Sequence, residues 1–387
     1  MKDEMNLRVF ILAGEPSGDA LAARLMQGLK EKAPNVKFSG VGGPLMVAEG
    51  LESLFPMDEL SVMGVFEVLP RMPLLLKRID QTASEVKRLN PDIFISVDAP
   101  DFSFRVARKL ADTSFPKVHY VAPSVWAWRP GRAKKIAALY DHLLTLLPFE
   151  PPYFEAEGLT ASFVGHSVIE TGADKGDGAA FRERHGIGDN EKLLMMLPGS
   201  RRGEVTRLLP IFRETVKHLQ ADIGDFSLVT PVVGRSGELV RAELAKWNIT
   251  AHIVDGEAEK FDAMAASDVA LAASGTVALE LALAKLPSVI AYRMNIVTAK
   301  IARLAVKLEH VNLINILLKR EAVPECILEN CTADNLTQAL SELFHSEEKR
   351  NQQIVSYKEA MLMLGKGEAA PGARAAEIIL KLITRKY

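Results

Sequence analysis

Cysteine is nearly absent: Cys326 and Cys331 are the two in 387 residues. Two thiols close in sequence make no zinc site without other ligands nearby, and such sparse use suits a reducing compartment. Long apolar runs are also missing, and none approaches the ~18 residues that span a bilayer. Met1-Lys2-Asp3-Glu4 is charged and the first apolar run is only strand-length, so no signal peptide is expected. Neither sign of charge dominates: 47 Lys and Arg stand against 49 Asp and Glu, a net charge of −2. That balance argues against a nucleic-acid binder relying on bulk positive charge. There is no Walker sequence, no H-E-x-x-H, no D-x-D, no fixed-period repeat and no low-complexity tract. A nucleotide diphosphate would therefore be held by the protein itself, with no metal site and no cofactor expected. These absences point to a cytoplasmic protein that can still lie on a membrane surface.

What is present is an α/β pattern. With 48% hydrophobic and 25% charged residues, the composition is that of a folded globular chain. Its length exceeds one ordinary core and predicts two domains. Short apolar runs alternate with helical patterns, the mark of parallel α/β units. Strands are expected at Val9–Ala13, Lys37–Val41, Ile93–Val97, Val118–Val121 and His142–Leu146 in the first half. The second half offers Leu193–Leu197, Ser227–Val232, His252–Val254, Val269–Ala272 and Ser288–Ala291. Several are apolar throughout, as in strands covered on both faces. A hinge is expected near Val164-Gly165-His166-Ser167. Gly372–Arg385 is amphipathic, with Ala375, Ala376, Ile379, Leu382 and Ile383 on roughly one face.

Twice, an apolar strand runs through a small-residue turn into a helix. The first case is Val9–Leu12 followed by Gly14-Glu15-Pro16-Ser17-Gly18-Asp19. The second is Leu193–Leu197 followed by Pro198-Gly199-Ser200-Arg201. A helix start reached in this way offers free N–H groups and a positive dipole end to phosphate or carboxylate. Asp98 ends the strand Ile93–Val97, where ligands of open α/β sheets bind. It is placed equally for general-base work and for capping the next helix, whereas capping is the favoured role for Asp101. Arg201 can neutralise a departing diphosphate or be a surface residue at a helix end. Ser274-Gly275-Thr276 can donate N–H and hydroxyl groups to phosphate, and Glu280 can accept both hydroxyls of a ribose. Capping by Ser274 is an equal alternative.

Gly64–Ile79 carries Val65, Phe66, Val68, Leu69, Met72, Leu74, Leu75 and Leu76 beside Arg71, Lys77 and Arg78. A buried helix is the ordinary reading. However, Pro70 and Pro73 interrupt the pattern, and an apolar face rimmed by basic residues suits an anionic membrane surface. A second basic cluster, Arg129, Arg132, Lys134 and Lys135, follows Trp126-Ala127-Trp128. It reads as a solvated helix start or as a holder of an acceptor phosphate or lipid headgroups.

Taken together, these residues closely resemble lipid A disaccharide synthases. The matching stretches are Gly14–Asp19 (GEPSGD), Gly40–Pro44 (GVGGP), Val97–Phe102 (VDAPDF), Tyr120–Trp128 (YVAPSVWAW), Leu147–Glu150 (LPFE), Val164–His166 (VGH), Leu197–Arg201 (LPGSR), Ser274–Glu280 (SGTVALE) and Pro324-Glu325. They run in order through nearly the whole chain. Three positions depart from the family pattern: Ser167 stands for Pro, Lys319 for a common Gly, and Cys326-Ile327-Leu328-Glu329 for a stretch where Leu-Leu-Gln is typical.

The resemblance implies the GT-B architecture, two Rossmann-like domains facing a cleft. It implies an acceptor domain over 1–166, a UDP-sugar domain over 167–364, and a C-terminal helix over 365–387 packing back on the first. It further implies an inverting glycosyltransferase joining UDP-2,3-diacylglucosamine to 2,3-diacylglucosamine 1-phosphate by a β-1,6 bond, releasing UDP. Asp98 and Arg201 would be catalytic. Glu15, Ser17, Ser200, Ser274, Gly275, Thr276 and Glu280 would bind substrate. Val68, Leu69, Met72, Leu75, Leu76, Lys77 and Arg78 would meet an anionic membrane, on the inner face of the bacterial inner membrane. Oligomeric state is left open, a homodimer included. Two rivals share these features: a UDP-N-acetylglucosamine 2-epimerase, which needs no acyl-binding surface, and a UDP-sugar sensor without turnover.

Overall fold

The computed structural model describes residues 6–60, 65–127, 131–232, 234–294 and 309–384. The chain forms two compact units, Met1–Ser167 with Leu364–Tyr387, and Val168–Met363.

The first unit runs β1 (Arg8–Ala13), α1 (Pro16–Lys32), β2 (Lys37–Val41), α2 (Pro44–Ala48), β3 (Glu52–Ser53), α3 (Val65–Leu89), β4 (Ile93–Val97), α4 (Pro100–Lys109), β5 (Lys117–Tyr120), α5 (Arg132–Ala137), β6 (His142–Thr145), α6 (Pro151–Glu155) and β7 (Thr160–Phe163). Its strands form one seven-stranded parallel sheet in the order β3-β2-β1-β4-β5-β6-β7. Alternate residues of β1 serve opposite cores. Val9, Ile11 and Ala13 pack with α1 on one face. Phe10 and Leu12 pack with Ile79, Ala83 and Val86 of α3 and Phe102, Val106 and Ala107 of α4 on the other. Burial on both faces is why the strand reads as continuously apolar.

The second unit runs α7 (Gly178–His185), β8 (Leu193–Leu197), α8 (Arg202–Ile223), β9 (Ser227–Val232), α9 (Gly234–Leu244), β10 (Ala251–Asp255), α10 (Glu257–Ala266), β11 (Val269–Ala273), α11 (Val277–Leu283), β12 (Ser288–Tyr292), α12 (Leu313–Leu318), β13 (Glu325–Ile327), α13 (Ala333–His345) and α14 (Glu347–Met363). Its parallel sheet has the order β10-β9-β8-β11-β12-β13. The last helix, α15 (Pro371–Thr384), returns to the first unit. There Ala375, Ala376, Ile379 and Ile383 join the core that α1 covers. Gly28 and Gly372 allow the approach: a Cβ on Gly28 would lie 2.8 Å from the Gly372 carbonyl oxygen.

Some local expectations are corrected. Pro70 and Pro73 lie inside α3 and do not interrupt it. The helix continues because Ile79, Ala83 and Val86 pack into the core further along. β5 and β6 end one residue early, at Tyr120 and Thr145, and Val121 turns into the left-handed region at φ 84°. The short strands β3, β7 and β13 were not expected, because two to four residues leave too little periodicity to read. Val68 and Leu69 have no described side chains, and Gly64, Trp128 and Arg129 lie outside the described residues. Among the described residues, no helix is long and apolar enough to cross a membrane.

Candidate active site

In a doubly wound sheet, loops diverge where the strand order reverses, and ligands bind at the carboxyl ends of the strands there. The reversal falls between β1 and β4 in the first unit and between β8 and β11 in the second. The singled-out motifs follow these four strands.

After β1 and β4 come Gly14–Asp19 and Asp98. Ala13 pairs with Val97 across the sheet, so both chains leave the edge at the same level. The Ser17 hydroxyl donates to the Asp98 carboxylate at 3.2 Å. Asp98 also accepts from the Ala99 N–H at 2.9 Å, while its own N–H bonds to the Tyr120 carbonyl. Asp98 and Ala99 are both left-handed, at φ 54° and 44°. Two such residues in succession store strain of the kind found at functional sites. The turn is crowded too, since a Cβ on Gly14 would stand 2.9 Å from the Ala99 Cβ. The capping expectations are corrected here. The N-cap of α4 is Ala99, without a side-chain bond, and Asp101 is exposed in the first turn. Glu15 is the N-cap residue of α1, half-buried.

Other family stretches prove to be supports. Asp19 is buried, and its carboxylate accepts N–H groups from Gly43, Leu45 and Met46 at 2.9–3.1 Å. It thus ties GEPSGD to GVGGP. Glu150 of LPFE is buried and accepts from the Leu147 N–H at 3.1 Å and the Trp126 indole at 3.2 Å. Burial pushes its carboxyl up to about 7 despite those bonds. Glu325 accepts from the Val311 and Asn312 N–H groups.

In the second unit, the turns after β8 and β11 line one cavity of about 250 Å³. Ser200, Ser274, Gly275, Thr276 and Glu280 all face it. Gly199 has φ 105°, a conformation that favours glycine, and lets the chain turn from β8 toward α8. Residues 275–277 lead into α11, whose first N–H groups have no acceptor within the helix. Ser274 does not cap α11; the N-cap residue is Thr276, without a side-chain bond. Arg201 is not among the lining residues. It is the exposed N-cap residue of α8. Its charge is felt at Tyr292, whose hydroxyl burial and the Glu204 carboxylate push up while Arg207 and Arg201 pull it down.

The cavity also holds residues that sequence reasoning missed. Lys260 donates to both oxygens of Glu280, at 3.0 and 2.9 Å, with both side chains largely shielded. Ser236 donates to the Ser200 carbonyl at 2.6 Å, bracing the turn. No local pattern marks Lys260, since α10 brings it in from another part of the chain. On the first unit, Leu76 of α3 is 46% exposed, Lys77 is exposed, and Met72 and Leu75 are half-buried. Arg78 differs from the expected headgroup contact. It forms a two-pronged pair with Glu59, at 2.7 and 2.9 Å, over the Phe55 ring. Among the described residues, no three His, Cys, Asp or Glu are grouped to hold a metal ion.

Two Rossmann-like domains of parallel strands define the GT-B class, and solved structures agree. A putative UDP-N-acetylglucosamine 2-epimerase from Listeria monocytogenes is similar at TM-score 0.66 and 14% identity, over 98% of this chain and 96% of that one. MurG of Acinetobacter baumannii is similar at TM-score 0.60 and 15% identity, over 98% and 99%. At such identities the likeness speaks to fold alone. Sequence speaks to family. Residues 9–379 match the pattern described as Lipid-A-disaccharide synthetase. A Lipid-A-disaccharide synthase from Rhodospirillum centenum is 51% identical over 383 residues, covering 98% of this chain and 96% of that protein. One from Ruegeria pomeroyi is 47% identical over 384 residues, covering 97% and 95%. The chain belongs to the lipid-A-disaccharide synthase family, and is a glycosyltransferase of lipid A biosynthesis.

Proposed function

We propose that the protein joins UDP-2,3-diacylglucosamine to 2,3-diacylglucosamine 1-phosphate by a β-1,6 bond and releases UDP. The observation that carries this reading is Asp98, a carboxylate held at the sheet reversal of the first unit in a strained turn and accepting a hydroxyl from Ser17. In this reading Asp98 takes the proton of the acceptor 6-hydroxyl as that oxygen attacks the anomeric carbon of the donor. The oxygen–carbon bond forms as the bond to the diphosphate breaks, and the electron pair leaves with UDP. An α-linked donor and a β-linked product require one in-line displacement, so one base suffices.

The donor belongs to the cavity of the second unit. Its diphosphate would meet the N–H groups at 275–277 and the hydroxyls of Ser200, Ser274 and Thr276. Glu280 would accept the ribose hydroxyls, with Lys260 holding its carboxylate in position. Arg201, next in the chain to Ser200, adds positive charge from the rim as negative charge builds on the leaving group. The acyl chains call for contact with a bilayer, supported by Met72, Leu75, Leu76 and Lys77. The working place in this reading is the cytoplasmic face of the inner membrane, peripherally bound. Mass spectrometry of products from the purified protein with both substrates tests the proposal: a β-1,6 disaccharide with UDP is expected. Conversion of the UDP-sugar alone would replace it with epimerisation, and binding without product would replace it with a sensor.

A further inference from the structure

Between α4 and α5 the first unit has a groove of about 700 Å³. It is lined on one side by Asp101, Phe104, Arg105 and Arg108, and on the other by Arg132, Lys135, Ile136 and Leu139. The first set has the spacing i, i+3, i+4, i+7 on one face of α4, while Arg132, Lys135 and Ile136 share a face of α5 and Leu139 lies in the turn that follows it. The opposite face of α4, with Phe102, Val106 and Ala107, is buried in the core, which fixes the helix rotation. The groove thus holds four cations against one carboxylate, in a chain whose net charge is −2.

The neighbouring surface shows that this imbalance is local. Toward α3, basic residues have acidic partners: Lys109 pairs with Asp80 and Lys87 with Asp112, each at 2.7 Å. Among the described residues, no ion pair engages Arg105, Arg108, Arg132 or Lys135, although Asp101 is spaced to meet Arg105 along the helix. Four like charges lining one groove, without acidic ion-pair partners among the described residues, favour an anion there. Guanidinium forks match phosphate oxygens in pairs, and a lysine adds a point charge. Phe104, Ile136 and Leu139 supply an apolar floor.

We propose that this groove is a binding site for a phosphomonoester, carried either by a soluble sugar phosphate or by a lipid headgroup. An extended polyanion would need a basic stripe, whereas these charges are gathered in one pocket. The near end of the groove, Pro100 and Asp101, comes just after Asp98 and Ala99 in the chain. A phosphate bound there is suited to hold an acceptor whose far end carries the anion. That consequence rests on the proposed function, but phosphate binding does not.

The test compares wild type with R105Q/R108Q and R132Q/K135Q. The probes are glucosamine 1-phosphate by equilibrium dialysis, and phosphatidylcholine vesicles with or without phosphatidic acid by co-sedimentation. UDP affinity and a thermal melt check that the variants are folded. Wild type is expected to bind at least one probe, more weakly as salt rises, and each folded double variant to lose about tenfold or more. Loss confined to glucosamine 1-phosphate identifies a sugar phosphate, and loss confined to phosphatidic acid vesicles identifies a headgroup. Wild type that binds neither probe, or folded variants that bind both unchanged, overturns the site. Loss of phosphate binding in a protein that makes no disaccharide would leave the site standing and remove the proposed function instead. Should the double variants unfold, the single variants R105Q and K135Q replace them, and folded single variants that bind both probes unchanged overturn the site.

Discussion

Asp98 joins a left-handed backbone at φ 54° to a carboxylate facing Ser17. Asn in its place keeps the shape, with its one oxygen accepting the Ala99 N–H and its amide N–H donating to the Ser17 oxygen, but it cannot take a proton. Asp98→Asn should therefore lower turnover by about a hundredfold or more, with UDP affinity unchanged because the cavity proposed for UDP belongs to the second unit. Activity like that of wild type would remove the base assignment. Lys319 makes a different residue-scale argument. It follows α12 as its C-cap at φ 53°, in the left-handed region. Glycine, the residue expected here from the resemblance, adopts this conformation without a Cβ penalty. Lys319→Gly should stabilise the protein by about 0.5–1 kcal/mol in denaturant unfolding, the relief of strain outweighing the added freedom of the unfolded chain. A lowered midpoint would show that the lysine side chain contributes more than its backbone costs.

At the scale of elements, α3 shows two characters along its length. Ile79, Ala83 and Val86 are core residues, whereas Leu76 is exposed and Leu75 half-buried. Within Gly64–Ile79 the residue Ile79 joins the core, and the exposed turn at Leu76 is where the proposed membrane contact would lie. Serine at both Leu75 and Leu76 should leave the fold intact and reduce co-sedimentation with anionic vesicles. If these side chains packed in the core, the change would instead cost about 2–5 kcal/mol for each and unfold the first unit. A thermal melt beside the vesicle assay separates the outcomes, and a folded variant that sediments as before would exclude this part of α3 as the anchor.

At the scale of the molecule, the buried groups expected to set acid stability lie mostly in the first unit, although burial also lowers His252 of the second. His119 and His166 are buried, and desolvation lowers them from the usual 6.5 to about 3 and about 4. Below pH 6.5 the unfolded chain binds protons that the folded imidazoles refuse, so stability falls as pH falls, by at most about 1.4 kcal/mol per histidine per pH unit. Glu150 acts in the opposite sense. Its carboxyl is raised from 4.5 to about 7, so between these values the folded state holds the extra proton and stability falls as pH rises. Between pH 4.5 and 6.5 two histidines oppose one glutamate, and stability should rise with pH. All three groups lie in the first unit. Hydrogen exchange read by mass spectrometry at pH 5 and pH 7 should show protection lost at the lower pH in peptides of the first unit before those of the second. Uniform loss across both units would refute this.

The α/β class, most strand centres and the loops of the candidate site were legible in the sequence. Strands buried on both faces must be apolar throughout, and turns that approach a ligand must be small. Gly14–Ser17, Asp98, Ser200 and Ser274–Thr276 were found in this way. What could not be read is which carboxylates are already engaged. Asp19, Glu150 and Glu325 look like Asp98 and Glu280 as letters, yet Asp19 accepts N–H groups from Gly43, Leu45 and Met46, Glu150 those of Leu147 and the Trp126 indole, and Glu325 those of Val311 and Asn312. Arg78 looks like a headgroup contact until Glu59 is folded against it. Lys260 gave no signal at all, because its partner lies on another helix. The groove of Arg105, Arg108, Arg132 and Lys135 forms only when α4 and α5 settle side by side. Chain order carries periodicity and turn chemistry, which act over a few residues. Charge pairing and cavities depend on distances across the sheet, and only the tertiary structure decides those.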